Sequence, residues 1–380
     1  MPNVNRRRIV YWLGAAAVAP LMPTPLLADD RPATPRMTEG PFYPTSFPSD
    51  TDADLTRVEG HKALAAAVVG CAWLLAPRGF PLRACGALWM VPMFAVQPPS
   101  PRPGEAWLDV LDVGNGLAVV VRTAGHALAY DAGPTWTSES DSGNRIVVPF
   151  LRGEGLARLD GLVVTHADDD HYGGAASVAV SRDPEWLLSP LSDDDPLHGM
   201  VPRSIRCEAG VRWTWDRVDF VVLHPGVEVY EGRQGRKEND RGCVLRVATH
   251  GAAALLAADV EARSEGEMVA RDAAALRSEV LLVPHHGSKT SSTPAFIDAV
   301  HPSVGILSVG YRNRFHHPNA GVVARYAERG IELRRTEQEG ALRIVLSRAR
   351  GGVTVTGQQE ACRYWSERPC KQAAAASSPG

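Results

Sequence analysis

Long apolar runs are scarce in the 380 residues. Two occur between 62 and 99, KALAAAVVGCAWLLAP and RGFPLRACGALWMVPMFAVQPP, and they are interrupted by Pro77-Arg78-Gly79 and Pro81. Each is shorter than the roughly 20 residues a helix needs to cross a bilayer by itself. Basic charge is not in excess either, since 40 Lys and Arg face 43 Asp and Glu for a net charge of -3. A polyanion therefore finds no bulk attraction, and any grip on nucleic acid must come from local patches or a metal. The six cysteines, at 71, 85, 207, 243, 362 and 370, show no C-x-x-C spacing. That excludes a zinc knuckle or a dense disulfide framework and leaves ordinary thiols, or at most one late loop bridge.

What is present is a globular composition, 44% apolar and 22% charged, on a chain long enough for one large core or two smaller ones. Residues 1–28 carry Arg6-Arg7-Arg8, an apolar run at 11–18 and small residues before Asp29-Asp30, the layout of a cleaved export signal of the twin-arginine type. Residues 29–61 are proline-rich and aperiodic, so they read as a linker. In the hydrophobic segment 62–99, Trp73 and Trp89 suit a membrane interface, so this segment is read as membrane-proximal. From 105 to 350, apolar runs at 107–113, 117–122, 127–132, 161–165, 220–223, 244–248, 253–258, 280–283 and 305–309 read as strands. Helical spacing at 145–156, 261–276, 294–300 and 320–329 covers them, which predicts a layered α/β sandwich. Residues 351–380 read as a C-terminal tail.

The most specific stretch is VVTHADDDHYGG at 163–174. A strand delivers His166, Asp168, Asp170 and His171 into a turn closed by Gly173-Gly174, and side chains from a strand end and a tight loop converge on one point. Two imidazoles with two or three carboxylates can hold a divalent pair. The plainer alternative is a solvated acidic turn with capping histidines. An apolar strand running straight into H-x-D-x-D-H argues against it.

The order continues with LLAAD at 255–259, PHHGS at 284–288 and FHHP at 315–318, and it resembles the metallo-β-lactamase fold. More narrowly, LDVGNG at 111–116, YDAGP at 130–134, NDRGCVL at 239–245 and VPHHGSKTSS at 283–292 resemble the C-terminal domain of the ComEC competence family, over about residues 62–366. The resemblance implies an αββα sandwich with two divalent metal ions. His166 and Asp168 would sit on one metal, Asp170 and His171 on the other, with Asp259 bridging. His317 matches the late histidine of the fold, and His285 or His286 would ligate or contact a phosphate, a choice that stays open. Asp112, Asp131 and Asn239 would orient ligands and loops, while Asp170, His286 and Lys289 are the catalytic candidates.

Oxygen donors at Asp168 and Asn239, where imidazoles are common in the wider fold, harden the site and favour manganese, with zinc or magnesium as alternatives. Ser288, Thr290 and Arg314 are the phosphate-binding candidates, with Arg312 and the helix start at Thr293-Pro294 beside them. A second basic cluster, Arg233, Arg236, Lys237, Arg241 and Arg246, reads equally well as a loop paired with Glu231, Glu238 and Asp240. His198 and His224 read as structural.

TPRMTEGPFYP at 34–44 resembles the opening of secreted intradiol ring-cleavage dioxygenases, but nothing downstream matches that family's iron ligands, so residues 1–61 read as the start of another gene joined on by fusion, recombination or a sequence-assembly error. The expectation is a metal-dependent hydrolase acting on DNA, single strands favoured, at the periplasmic face of the inner membrane. Other competence-channel proteins are the candidate partners. One alternative keeps the fold with a lactone, thioester or small phosphodiester as substrate. Another is a fused or truncated remnant that binds DNA without activity.

Overall fold

The computed structural model describes residues 62–77, 82–91, 98–231 and 237–358. The expected export signal and linker at 1–61 lie outside them, as do Arg233, Arg236, Cys362 and Cys370.

Two sheets are stacked face to face. One has eight strands in the order Gly352–Gly357, Leu342–Ser347, Ala106–Val110, Val119–Arg122, Ala127–Tyr130, Gly161–Val163, Trp186–Ser189 and Ser204–Arg206. The other has seven, in the order Glu332–Arg335, Val304–Leu307, Val280–Leu282, Ala253–Leu256, Val244–Ala248, Val218–His224 and Arg212–Trp215. The period of two in side-chain direction explains why the runs are apolar throughout. Leu108, Val110, Val121 and Leu128 face Phe220, Leu245, Leu256 and Ile306 across the inter-sheet core. Their neighbours Val120, Ala129 and Leu162 point outward against helices Val148–Gly153 and Ala175–Arg182. On the other side Leu255, Leu281 and Leu307 pack under helices Ala262–Asp272, Pro294–Val300 and Ala320–Ala327. The result is the αββα sandwich, in which each fully buried Leu or Val contributes about 1.5–3 kcal/mol.

Two sequence expectations need correcting. Strand Gly352–Gly357 pairs with its neighbour from Leu342↔Gly357 to Ser347↔Gly352, so the sheet runs past the expected domain end at 350. Cys207 and Cys243 form a buried disulfide, 36 residues apart and not late in the chain. Cys207 follows the last strand of one sheet and Cys243 leads into a central strand of the other, so stacking of the sheets, invisible in the spacing, brings them together.

Before the sandwich, helix Lys62–Leu75 packs on the 3-10 helix Arg83–Met90 at two glycines; a Cβ on Gly86 would lie 2.7 Å from the Gly70 carbonyl. Val68, Leu75, Leu88 and Trp89 remain exposed on this hairpin. Among the described residues no helix is long and apolar enough to cross a membrane.

Strands Ala127–Tyr130, Gly161–Val163 and Trp186–Ser189 run parallel in one sheet, and Ala253–Leu256, Val280–Leu282, Val304–Leu307 and Glu332–Arg335 run parallel in the other. Ligands in open α/β sheets bind outside the carboxyl ends of such strands. Asp131, His166, Asp259, His286 and Ser308 all follow those ends.

Candidate metal centre

The turn after Gly161–Val163 is built for close approach. A Cβ on Gly116 or Gly174 would collide with the carbonyl of Asp170 or of Ala132, so only glycine lets these loops nest. Within the turn Asp168 precedes the short helix Asp169–Tyr172, and the Asp168 carbonyl accepts from the amides of His171 and Tyr172. His166 and His171 are thereby fully buried.

Three imidazoles are wired alike. His171 Nδ1 lies 2.7 Å from Asp131 Oδ2, and His286 Nδ1 lies 2.7 Å from the Ser308 carbonyl oxygen. Both partners only accept, so each Nδ1 carries its proton and donates it. The Thr165 hydroxyl donates its single hydrogen to Asp131 Oδ2 at 2.8 Å, and so accepts from His166 Nδ1, also at 2.8 Å. In each neutral ring the Nε2 lone pair is then bare. Yet His171 Nε2 and His286 Nε2 face one another at 3.3 Å, and Asp259 Oδ1 lies 3.1 Å from the former. His166 Nε2 and Asp259 Oδ1 are buried without a hydrogen-bond partner. Lone pairs and a carboxylate crowded this way require a cation among them.

The donors fall into two groups sharing one residue: His166, His171 and Asp259, and Asp170, His171 and His286, each with its ligand atoms within 4.8 Å of one another. These residues fit divalent metal. Without metal the same crowding is met by protons. Burial alone would lower His171, but Asp259 and Asp131 outweigh it and hold the imidazole well above its ordinary value. His286 is raised in the same way, against burial, by Asp259 and Asp170. Burial would raise Asp259 and Asp170. His171 and His286 overcome it, and both carboxyls stay below the usual range.

The remaining predicted residues lie around these groups. Asp168 is half exposed, with Oδ2 3.5 Å from His166 Nε2, and the neighbouring His166 lowers its carboxyl. Asp131 accepts from the Thr165 amide and hydroxyl and from His171, and belongs to neither donor group. Asp112 accepts from the Gly114 amide in its own turn. Asn239 is half-buried in the short turn Asn239–Arg241. His285 flanks the centre, Nε2 3.7 Å from Asp259 Oδ2, with Nδ1 3.3 Å from the Thr290 hydroxyl. His317 is one layer further out, its ring 5.9 Å from that of His285. Ser288 is buried against Thr290, while Lys289 and Arg314 are exposed.

The expected anion site at Thr293-Pro294 is taken from within. Glu265 accepts from the Ser292 and Thr293 amides, which places a carboxylate where the phosphate was expected. In the second basic cluster Lys237 pairs with Glu261, Arg241 pairs with Glu238 and Arg246 donates to the Arg277 carbonyl. His224 donates through Nε2 to the Asp240 carbonyl, and His198 contacts Ser204 and Ser192.

Sequence reasoning missed four participants. Thr165 and Ser308 fix imidazoles, Asn115 donates to Asp170 Oδ2 at 3.3 Å, and Glu261 lies 3.6 Å from His285 Nδ1. Each is a polar residue in or just beyond an otherwise apolar strand end, which is the signal that would have found them.

A family profile described as Metallo-beta-lactamase superfamily matches residues 111–311. The chain is 36% identical over 307 residues to the competence protein ComA of Neisseria gonorrhoeae, covering 80% of this chain and 41% of that one. It is 32% identical over 263 residues to the protein YcaI of Escherichia coli, covering 69% and 32% respectively. It is also 32% identical over 237 residues to Recombination protein 2 of Haemophilus influenzae, covering 62% and 28%. The chain thus spans less than half the length of these curated relatives.

Proposed function

The chain belongs to the metallo-beta-lactamase superfamily, and from that premise we propose that it is a metal-dependent phosphodiesterase that cuts DNA, single strands before duplex, during DNA uptake. The observation that carries the reading is the convergence of three bare imidazole nitrogens on Asp170 and Asp259 at the strand ends. Similarity to a protein named for competence and to one named for recombination supports DNA as the substrate. Bound divalent cations, manganese before magnesium or zinc, supply the Lewis acidity that withdraws charge from a phosphoryl oxygen and acidifies water.

The chain's own residues do the rest. His166, His171, His286, Asp170 and Asp259 hold the cations, with Asp168 at the open side, and Asp131, Thr165 and Ser308 keep each imidazole turned inward. Asp170, ionised at neutral pH and oriented by Asn115, accepts the proton released by the attacking water. Exposed Lys289 and Arg314, with the Thr290 and Ser288 hydroxyls behind them, are the groups that would contact the phosphate. The Cys207–Cys243 disulfide supports an oxidising compartment outside the cytoplasm, and the exposed apolar hairpin supports membrane contact there, with other competence-channel proteins as partners.

The test is cleavage of labelled single-stranded and duplex oligonucleotides by the manganese-loaded full chain. Single strands left intact, or an Asp170→Ala variant that cuts as well as the parent, would sink the reading. Turnover of chromogenic esters alone would assign the site to another hydrolysis.

A further inference from the structure

Beside the metal centre, the loop after strand Val304–Leu307 and the segment after Glu332–Arg335 border an open cleft of about 480 Å³. Its walls include Tyr311, Arg312, His317, Arg335 and Glu337. The volume is within the roughly 300–1,000 Å³ range of small-ligand clefts. Two large aromatic side chains stand in solvent on this loop, Tyr311 at 66% and Phe315 at 50% exposure. Each carries a guanidinium, Arg312 at 5.2 Å from the Tyr311 ring centre and Arg314 at 4.8 Å from that of Phe315. Both rings keep a large exposed area on which a flat partner can stack.

Along the cleft wall Arg335 is paired with Glu337, which leaves Arg312 as the lining guanidinium without a carboxylate partner among the described residues. Arg312 at the edge of the cleft and Arg314 further along the loop are exposed and pair with no carboxylate among the described residues. A neutral, flat group therefore suits the interior and an anion suits the rim, which is the division of charge within a nucleotide. The loop also adjoins the chemistry. Phe315 stacks on His317 at 5.8 Å and 15°, and the His317 ring is 5.9 Å from His285, which neighbours Asp259.

We propose that the loop at 310–318 is a single-strand platform, in which Tyr311 and Phe315 stack unpaired bases, the cavity takes one base, and Arg312 and Arg314 hold the flanking phosphates. Bases inside a duplex are already stacked and cannot reach it, so the platform selects single strands. This rests on the nuclease reading for its substrate, but binding can be measured without turnover.

The experiment is fluorescence anisotropy of the manganese-loaded full chain with a cleavage-resistant phosphorothioate oligothymidylate, alongside hydrolysis of bis(p-nitrophenyl) phosphate. Tyr311→Ala and Phe315→Ala are each expected to weaken oligonucleotide binding roughly tenfold, within the range of one lost base stack. Tyr311→Trp is expected to retain binding, and the small diester is expected to be turned over at the parental rate. A parent that binds the oligonucleotide yet cuts no DNA defeats the nuclease reading and leaves the platform standing. Alanine variants that bind as the parent does, a parent with no affinity for the oligonucleotide, or an equal loss on the small diester would overturn the platform.

Discussion

The two sheets contribute to the centre in opposite styles. From the eight-stranded sheet come Asp131, Thr165, His166 and His171, all fully buried and joined by hydrogen bonds of 2.7–2.8 Å. From the seven-stranded sheet come Asp259 and His286, and then loops that open outward through His285 and His317 to the exposed Tyr311, Arg314 and Phe315. One half is fixed before any ligand arrives, and the other offers a surface to what arrives. The division fits metal retention on the first side and substrate contact on the second.

The most damaging way to break this division is at the residue both donor groups share. His171→Ala removes a ligand from each and leaves Asp131 and Asp259 buried with one partner fewer. The expected outcome is loss of stoichiometric metal by elemental analysis and a fall in activity on the order of a thousandfold or more. His317→Ala, on the open side, is expected to keep its metal. Loss of metal from both variants alike would erase the contrast.

Next in size is the disulfide that ties the sheets together beside the centre. The Cys243 amide donates to the Thr165 carbonyl, and the Tyr130 hydroxyl lies 2.6 Å from the Cys243 carbonyl oxygen. Replacing Cys207 and Cys243 together by alanine is expected to cost about 2–4 kcal/mol of stability. Denaturant unfolding in the presence and absence of reductant checks this: the reductant effect should vanish in the double variant.

A smaller and more directed change is Asp131→Asn. The amide can present N–H to His171 Nδ1 and so favour the tautomer whose Nε2 is protonated and cannot bind metal. Competition with a chelator should show metal affinity reduced roughly 10- to 100-fold with the fold intact. Unchanged affinity would mean that this wiring does not orient the ring.

How much of this was legible follows the same division. The buried half announces itself, because an apolar strand running into H-x-D-x-D-H has few other uses, and the nine apolar runs matched buried strands. Strands Ser204–Arg206, Arg212–Trp215 and Glu332–Arg335 escaped notice because they are short or edge strands with half-exposed polar sequences, so no hydrophobic period marks them. Pairings that depend on how the sheets stack, such as Cys207 with Cys243, or on which strands lie side by side, such as Ser308 with His286, leave no trace in spacing. The late histidines could not be ranked for the same reason, since His285 and His286 are adjacent in sequence but only His286 enters a donor group.

Acidity separates the donor groups from the histidines around them. His171 and His286 are raised without metal, whereas burial lowers His285, and burial together with His286 lowers His317. A raised histidine stabilises the metal-free fold fully below its unfolded value near 6.5, and that stabilisation is lost as pH rises through the higher folded value. Metal must displace those protons. The metal-induced stabilisation, and with it the rise in Tm, is therefore expected to grow from about pH 6 to pH 8, the free energy by up to about 1.4 kcal/mol per pH unit for each proton displaced. Thermal scans with and without manganese read it, and a rise that shrinks with pH would reverse the assignment.

The smallest expected effect concerns the cations that lie away from the open loop. Lys237 reaches Glu261 at 2.7 Å and Arg241 reaches Glu238 at 3.3 Å, so each already has a carboxylate partner. An exposed pair of this kind adds little to stability, and a phosphate would have to displace the carboxylate to gain anything. Lys237→Ala and Arg241→Ala are thus expected to change DNA affinity by less than about threefold, and to leave the salt dependence of binding nearly unchanged. Arg312→Ala and Arg314→Ala, whose guanidinium groups lie over exposed rings, should each flatten that dependence by about one counterion. A salt titration across the four variants decides whether the positive edge of the site lies on the 310–318 loop, and equal slopes for all four would remove the distinction between a cation that is present and one that is available.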